Sequence, residues 1–147
     1  MPEPLIRTNY EVMFFDTDAG GVVHNLAYLR IIEVARTRLG AELGLPVKEM
    51  AERGEFSVVL RTEVDYRQPA RLGDHLVVES WLEKVERLRF WLGFRILRPG
   101  DTSLLVTCRQ RMANMKIPEN RPLRPPVNWR AQFPDAFSKE GAPSSHE

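Results

Sequence analysis

The chain of 147 residues carries 21 Lys+Arg against 20 Asp+Glu, a formal net charge of +1, with 43% hydrophobic residues and one cysteine. That length fits one domain with a sizeable core, and the near-balance of charge offers neither the basic field that nucleic acid requires nor an acidic tail. The single Cys108 excludes an internal disulfide framework and a Cys-rich zinc site.

The opening "MPEPLIRTNYE" lacks the apolar core of a secretory signal. No apolar run approaches the ~18 residues of a membrane span. A soluble cytoplasmic protein is expected, with no membrane or nucleic-acid partner.

Strand-like alternation begins at "NYEVMFF" and breaks at "DTDAGG". From about Asn25 the period changes. Tyr28, Ile31, Ile32, Ala35, Leu39 and Leu43 fall three, four or seven apart, which predicts a helix of roughly four to five turns. "GLP" at Gly44 to Pro46 stops it. "PVKEMAERG" predicts a short second helix, with Pro46 in its first turn and Gly54 after its end.

The next segments read as strands: "FSVVLRTEVDYR", "DHLVVESWLEKVE", "LRFWLGFRIL" and "TSLLVTCRQRMANM". In the first, Val58, Leu60, Thr62, Val64 and Tyr66 alternate with Arg61, Glu63 and Asp65. In the last, Cys108 alternates with Leu104, Val106 and Met112, which predicts a buried structural thiol. Short Gly/Pro turns such as "PARLGD" and "RPGD" imply an antiparallel meander. One long helix and about five strands give an α+β domain, the helix covering one face of a curved sheet.

From "IPENRPLRPPVNWRAQF" onward the composition shifts to proline and charge. Pro122, Pro125 and Pro126 predict an extended surface segment. The domain is expected to span residues 1–131, with residues 132–147 forming a tail whose last ten or so residues are disordered.

The stretch "FFDTDAGGVVHNLAYLRIIEVAR" places acidic side chains and a flexible turn against a helix start. An Asp beside Gly-Gly is ordinarily a turn or cap residue. Here Phe14, Phe15, Val22 and Val23 flank the turn, so Asp18 is expected in partly apolar surroundings that favour basicity. The glycines permit close backbone approach. The helix beginning near Asn25 aims unpaired N–H groups at the same volume. A carboxylate and a helix N-terminus are the parts needed to attack a carbonyl.

"DTDAGGVVHNLAYLRIIEVAR" resembles the signature of the 4-hydroxybenzoyl-CoA thioesterase family of hotdog-fold proteins, particularly its YbgC-type branch. "YRQPARLGD" is similar to a second pattern of that family, and the match runs from about Tyr10 to Met115. The resemblance implies that Asp18 is the catalytic carboxylate, as nucleophile or as base on water. It also implies that the backbone N–H of Asn25 polarises the thioester carbonyl. Tyr28, the tyrosine of the recurring pattern, is placed with the substrate-binding residues.

One departure concerns His24. The YbgC branch reads Tyr-His after Gly-Val-Val, whereas here Val23 is followed by His24 and Asn25. His24 is therefore either a helper in catalysis or a neighbour of the helix cap. Asp16 is read as organising the turn, Glu33 as pairing with Arg36, and His75 as exposed; His146 falls in the tail. No metal-ligand spacing occurs, and no metal or cofactor is expected.

Lys84, Arg87 and Arg89 at a turn between strands are read as phosphate contacts, with Arg67 and Arg71 in the other turn region. Val58 and Val59 are assigned to the acyl pocket. The expected reaction is hydrolysis of an acyl-CoA or aromatic acyl-CoA thioester to free acid and CoA. The alternatives are a noncatalytic acyl-thioester or acyl-carrier-protein binder, and a hotdog dehydratase or hydratase using His24. The family resemblance further implies a homodimer or homotetramer.

Overall fold

The computed structural model describes residues 2–101 and 103–137. Its strands are β1 (Ile6–Glu11), β2 (Glu55–Tyr66), β3 (His75–Val85), β4 (Phe90–Arg98), β5 (Ser103–Lys116) and β6 (Arg121–Leu123). The helices are α1 (Asn25–Glu42), α2 (Val47–Glu52) and α3 (Trp129–Gln132). The strands form one six-stranded sheet in the order β1-β3-β4-β5-β2, with β6 on β5. β1 runs antiparallel to β3, and β6 antiparallel to β5. Among the described residues no helix is long and apolar enough to cross a membrane.

The order corrects the expected meander at one point. β2 lies beside β5, not beside its sequence neighbour β3, and β1 takes the place next to β3. Alternation of side chains reports which face a residue occupies and says nothing about which strand lies beside it. The first strand is also shorter than "NYEVMFF" suggests. Residues Phe14–Asp16 form a 3-10 turn because Asp16 folds back to accept the Met13 N–H at 2.9 Å.

Contacts divide the described chain into two compact units. The first comprises residues up to Leu39, Glu63–Trp81 and Phe94–Cys108. Its core takes the α1 stripe Ala27, Tyr28, Ile31, Ile32, Ala35 and Leu39, each nearly inaccessible. Burying an Ile or Leu side chain contributes about 1.5–3 kcal/mol. Arg95 of β4 is buried here too, and it is fully occupied. It pairs with Glu79 at 2.9 Å, donates to the Pro2 carbonyl at 2.8 Å and lies over the Trp81 ring at 4.4 Å. Cys108 is buried, and burial pushes its thiol up to about 12.

The second unit comprises Gly40–Thr62, Leu82–Gly93 and the described residues from Arg109. The end of α1 lies in it, where Gly44 adopts φ +85° and lets the Leu45 N–H turn back to the Gly40 carbonyl at 2.7 Å. Trp129 closes this end. Its side chain is wholly buried, stands edge-on to Phe90 at 5.1 Å, and donates Nε1–H to the Leu43 carbonyl at 2.8 Å. The proline-rich segment, expected to lie extended on the surface, is thus pinned by an inserted tryptophan. Residues 132–137, expected in the tail, include a 3-10 turn (Pro134–Ala136), a buried Ala136 and a bridge from Phe137 to Val85. Residues 138–147, with His146, lie outside the described residues.

β2 differs from its expected half-buried pattern. Every residue from Phe56 to Thr62 is exposed, including Phe56, Val58, Val59 and Leu60. β2 is an end strand of the sheet order, and among the described residues nothing covers Phe56 to Thr62.

Two measurements check these assignments. Trp129→Ala removes a buried indole and orphans the Leu43 carbonyl, so it should cost about 3–5 kcal/mol and lower Tm by on the order of 10 °C in calorimetry. An unchanged Tm would show that the segment is not anchored there. Cys108 should resist a thiol reagent at pH 8 in the folded protein and react promptly once guanidinium unfolds it. Rapid labelling of the native state would contradict the burial.

Candidate active site

The site is built in the first unit around Asp16. Its carboxylate has no exposed surface, and Oδ2 accepts both the Tyr10 hydroxyl and the Met13 N–H at 2.9 Å. Arg30 lies 3.6 Å from Oδ1. Burial, reinforced by the bond to Asp16, pushes the Tyr10 hydroxyl up to about 12, so it remains a donor at any ordinary pH. The backbone of Asp16 takes part as well: its carbonyl accepts the His24 N–H at 2.8 Å. Asp16 therefore organises the turn, as expected.

The turn itself is a small antiparallel loop closed by the bridge between Thr17 and Val23. At its tip the Asp18 N–H donates to the Val22 carbonyl at 2.9 Å, and the Gly21 N–H to the Asp18 carbonyl at 3.1 Å. Gly21 sits at φ +77°, which a side-chain-bearing residue rarely adopts. Asp18 Oδ1 accepts the Gly20 N–H at 2.8 Å, and its other oxygen has no hydrogen bond among the described residues. The carboxylate is exposed. Of the four apolar residues that flank the turn, Phe14 and Phe15 are 80% and 72% exposed, whereas Val22 is half-buried and Val23 buried.

The segment "YRQPARLGD" clamps this loop. Val23 N–H donates to the Ala70 carbonyl at 2.8 Å, Leu72 N–H to Gly21 at 3.1 Å, and Gly73 N–H to Val12 at 3.2 Å. Arg98 holds the clamp from behind, donating to Asp74 at 2.9 Å and to the Pro69 carbonyl at 3.1 Å. Tyr28 reaches across from α1. It is buried, its hydroxyl oxygen accepts the Ala70 N–H at 2.9 Å, and burial raises its pKa.

The helix start completes the arrangement. His24 Nδ1 accepts the Leu26 N–H at 3.1 Å, which makes it a cap of α1 and leaves the ring proton on Nε2. The Asn25 N–H has no partner among the described residues. A cavity of about 280 Å³ opens beside it, lined by Asn25, Tyr28, Tyr66, Arg67 and Gln68 among others. The Tyr28 and Tyr66 rings stand 5.5 Å apart at its wall.

Of the residues singled out in the sequence, Asn25 and Tyr28 line this cavity, and Asp18 and His24 lie on the connected turn and cap. Val58, Val59, Lys84, Arg87 and Arg89 belong to the second unit. Val58 and Val59, consecutive residues of β2, point to opposite sides of the strand, and both are exposed. Lys84 lies 3.8 Å from Glu86, and the Arg89 carbonyl closes the β3–β4 turn by accepting the Glu86 N–H. Arg67, read as a phosphate contact, lines this cavity, and Tyr66 and Gln68 join it without having been singled out; their position at the start of "YRQPARLGD" is the available signal. Glu33 lies 4.0 Å from Arg36, and His75 is exposed, both as expected. Among the described residues no group of three His, Cys, Asp or Glu side chains could hold a metal ion.

Known proteins are similar to this chain in sequence and in fold. A family profile described as the thioesterase-like superfamily matches residues 12–139. The acyl-CoA thioesterase YbgC of Haemophilus influenzae is 30% identical over 129 residues, covering 87% of this chain and 90% of that protein. The acyl-CoA thioester hydrolase YbgC of Escherichia coli is 34% identical over 114 residues, covering 74% and 84%. The crystal structure of the DHNA-CoA thioesterase from Staphylococcus aureus superposes with a TM-score of 0.75 at 27% identity, covering 88% of this chain and 83% of that one. With this sheet order, the long α1 and the matched profile together, the chain belongs to the thioesterase-like superfamily as a YbgC-type thioester hydrolase of the hotdog fold.

Proposed function

We propose that the protein hydrolyses an acyl-CoA thioester, with Asp18 as the reacting carboxylate and the Asn25 N–H as the oxyanion donor. The observation that carries the reading is the unpartnered Asn25 N–H at the mouth of a cavity, on a helix whose preceding turn presents a carboxylate. In the water route, Asp18 takes a proton from water as the oxygen bonds to the thioester carbonyl carbon. The resulting oxyanion is stabilised by the Asn25 N–H and the helix N-terminal dipole. Collapse breaks the C–S bond, and the CoA thiolate takes up a proton. In the nucleophilic route, Asp18 bonds to the carbonyl carbon, expels the thiolate and forms an acyl anhydride that water then cleaves. His24 contributes by capping the helix and so fixing the direction of the Asn25 N–H.

A second copy of the chain belongs to this reading. Two surfaces call for cover: the apolar length of β2, with Phe56, Val58 and Leu60, and the exposed Phe14 and Phe15 beside the Asp18 turn. An end strand with exposed apolar side chains is a template for pairing with another chain. A homodimer, or a tetramer of two such dimers, would cover both.

Asp18→Asn keeps the shape of the turn but removes the charge. It should fold normally and lose about 10²–10⁴ in kcat, the usual range for a general base, measured as thiol release from a panel of aliphatic and aromatic CoA thioesters. Wild-type turnover in this variant would make the carboxylate structural and end the mechanism. Asp16→Asn should instead act on the turn, lowering stability by about 1–3 kcal/mol with a far smaller loss of kcat. In single turnover in ¹⁸O-water, label appearing in Asp18 marks the nucleophilic route with water opening the anhydride at the Asp18 carbon, whereas label confined to the product acid arises on either route when water attacks the acyl carbon. For assembly, light scattering should give a dimer or larger, and Leu60→Asp should reduce the mass. A fully active wild-type monomer at micromolar concentration would remove this part of the reading.

A further inference from the structure

The first turn of α1 distributes its amide donors unevenly. The N–H groups at a helix start have no partner within the helix and must find one elsewhere. The His24 N–H meets the Asp16 carbonyl at 2.8 Å, and the Ala27 N–H meets the His24 carbonyl at 2.9 Å. The Leu26 N–H donates to His24 Nδ1 at 3.1 Å. Among the described residues this leaves the Asn25 N–H alone without a partner in that turn, beside the cavity that Asn25 lines. The two backbone contacts are indifferent to pH, and the third is not. A ring nitrogen accepts an N–H only while it carries no proton. Protonating Nδ1 sets two donors against each other and adds a positive charge at the positive end of the helix dipole. Imidazole is the side chain that changes charge between about pH 5 and 8.

The charged and titratable groups on the elements around the ring are Asp16 and Asp18 on the turn, Arg30 on α1, and Tyr66, Arg67, Arg71 and Asp74 in the clamping segment. Asp16 is held by Tyr10 and Arg30, and Asp74 by Arg98. Asp18 is exposed and accepts the Gly20 N–H. None of the carboxylates pairs with the ring among the described residues, and His24 is exposed, so solvent protons reach it. We propose that His24 is a positioning residue whose protonation switches the oxyanion donor. With Nδ1 bare, the first turn of α1 is closed and the direction of the Asn25 N–H is fixed. With Nδ1 protonated, the turn opens and the donor loses its direction. The effect on catalysis rests on the Asn25 oxyanion reading above; the opening of the cap does not. A typical N-cap is worth about fivefold in the equilibrium between closed and open turn.

Two readouts on the full chain test this. In ¹⁵N NMR from roughly pH 8 to pH 5, the His24 ring should start as the Nε2–H tautomer. Leu26 amide exchange, corrected for its intrinsic pH dependence, should speed up by about fivefold at the midpoint of the ring's own titration. The second readout is kcat for thiol release from a CoA thioester. His24→Asn supplies a cap oxygen that does not titrate, so it keeps the acid loss due to Asp18 and lacks the one due to His24. The ratio of wild-type to His24→Asn kcat should therefore fall about fivefold as the ring is protonated. His24→Ala, with no cap at any pH, should be about fivefold slower than wild type with the ring neutral, and His24→Asn should recover most of that loss. Leu26 exchange that ignores the ring titration overturns the proposal, and this measurement needs no variant to fold. So does a wild-type to His24→Asn ratio that stays constant with pH. His24→Asn as slow as His24→Ala with the ring neutral would make the ring a reacting group and overturn its role as a cap. Failure to release thiol from any thioester, with the exchange response intact, removes the hydrolase reading and leaves the protonation-opened cap standing.

Discussion

A carboxylate with no exposed surface, Asp16, is the constraint on which the first unit's site depends. A carboxyl group taken out of water is costly unless it is paired, and Asp16 draws the Tyr10 hydroxyl and the Met13 N–H to Oδ2 and Arg30 to within 3.6 Å of Oδ1, which accepts no hydrogen bond among the described residues. The consequence is geometric. The chain bends into a 3-10 turn at Phe14–Asp16, the Asp16 carbonyl faces the His24 N–H, and the glycine loop between them is left with one conformation at its base. Asp18 is then carried outward as Asp16 is carried inward. Two aspartates separated by one threonine thus serve opposite ends, one as a buried strut and the other as an exposed group.

The same logic of paired burial recurs in each unit. In the first, Arg95 lies on a strand whose neighbours are almost wholly buried, and Glu79, the Pro2 carbonyl and the Trp81 ring take up its charge. In the second, Arg111 donates from both Nε and Nη2 to one oxygen of the buried Glu86, and Arg109 lies over the Trp91 ring while bonding to Glu83. Replacing one member of such a pair leaves the other uncompensated, which is costlier than losing the pair altogether.

The exposed apolar residues of β2 and of the Asp18 turn mark the boundary of what one chain stabilises by itself. A strand with Phe56, Val58, Val59 and Leu60 open to solvent is poorly suited to an isolated protein. Its alternating pattern has physical meaning only when something covers it. Phe14 and Phe15 beside the Asp18 turn are likewise exposed.

The sequence by itself determined the elements and their chemistry. The 3.6-residue spacing from Tyr28 to Leu39 placed α1 and its buried stripe, and the strand segments were legible because apolar periodicity is a local property. The Asp-Ala-Gly-Gly turn, the helix start at Asn25 and the clamp in "YRQPARLGD" could likewise be read from residue types and a family resemblance. Strand order could not. β2 pairs with β5, a choice made by contacts far apart in the chain, to which a period of two is blind. Nor could the fate of the proline-rich segment be read. Its composition argues for solvent, and one residue, Trp129, overrides that by burying an indole and meeting an otherwise orphaned carbonyl at the end of α1. Which charged or apolar side chains share a site is settled by tertiary packing, because the free energy of burying them depends on partners that lie elsewhere in the chain.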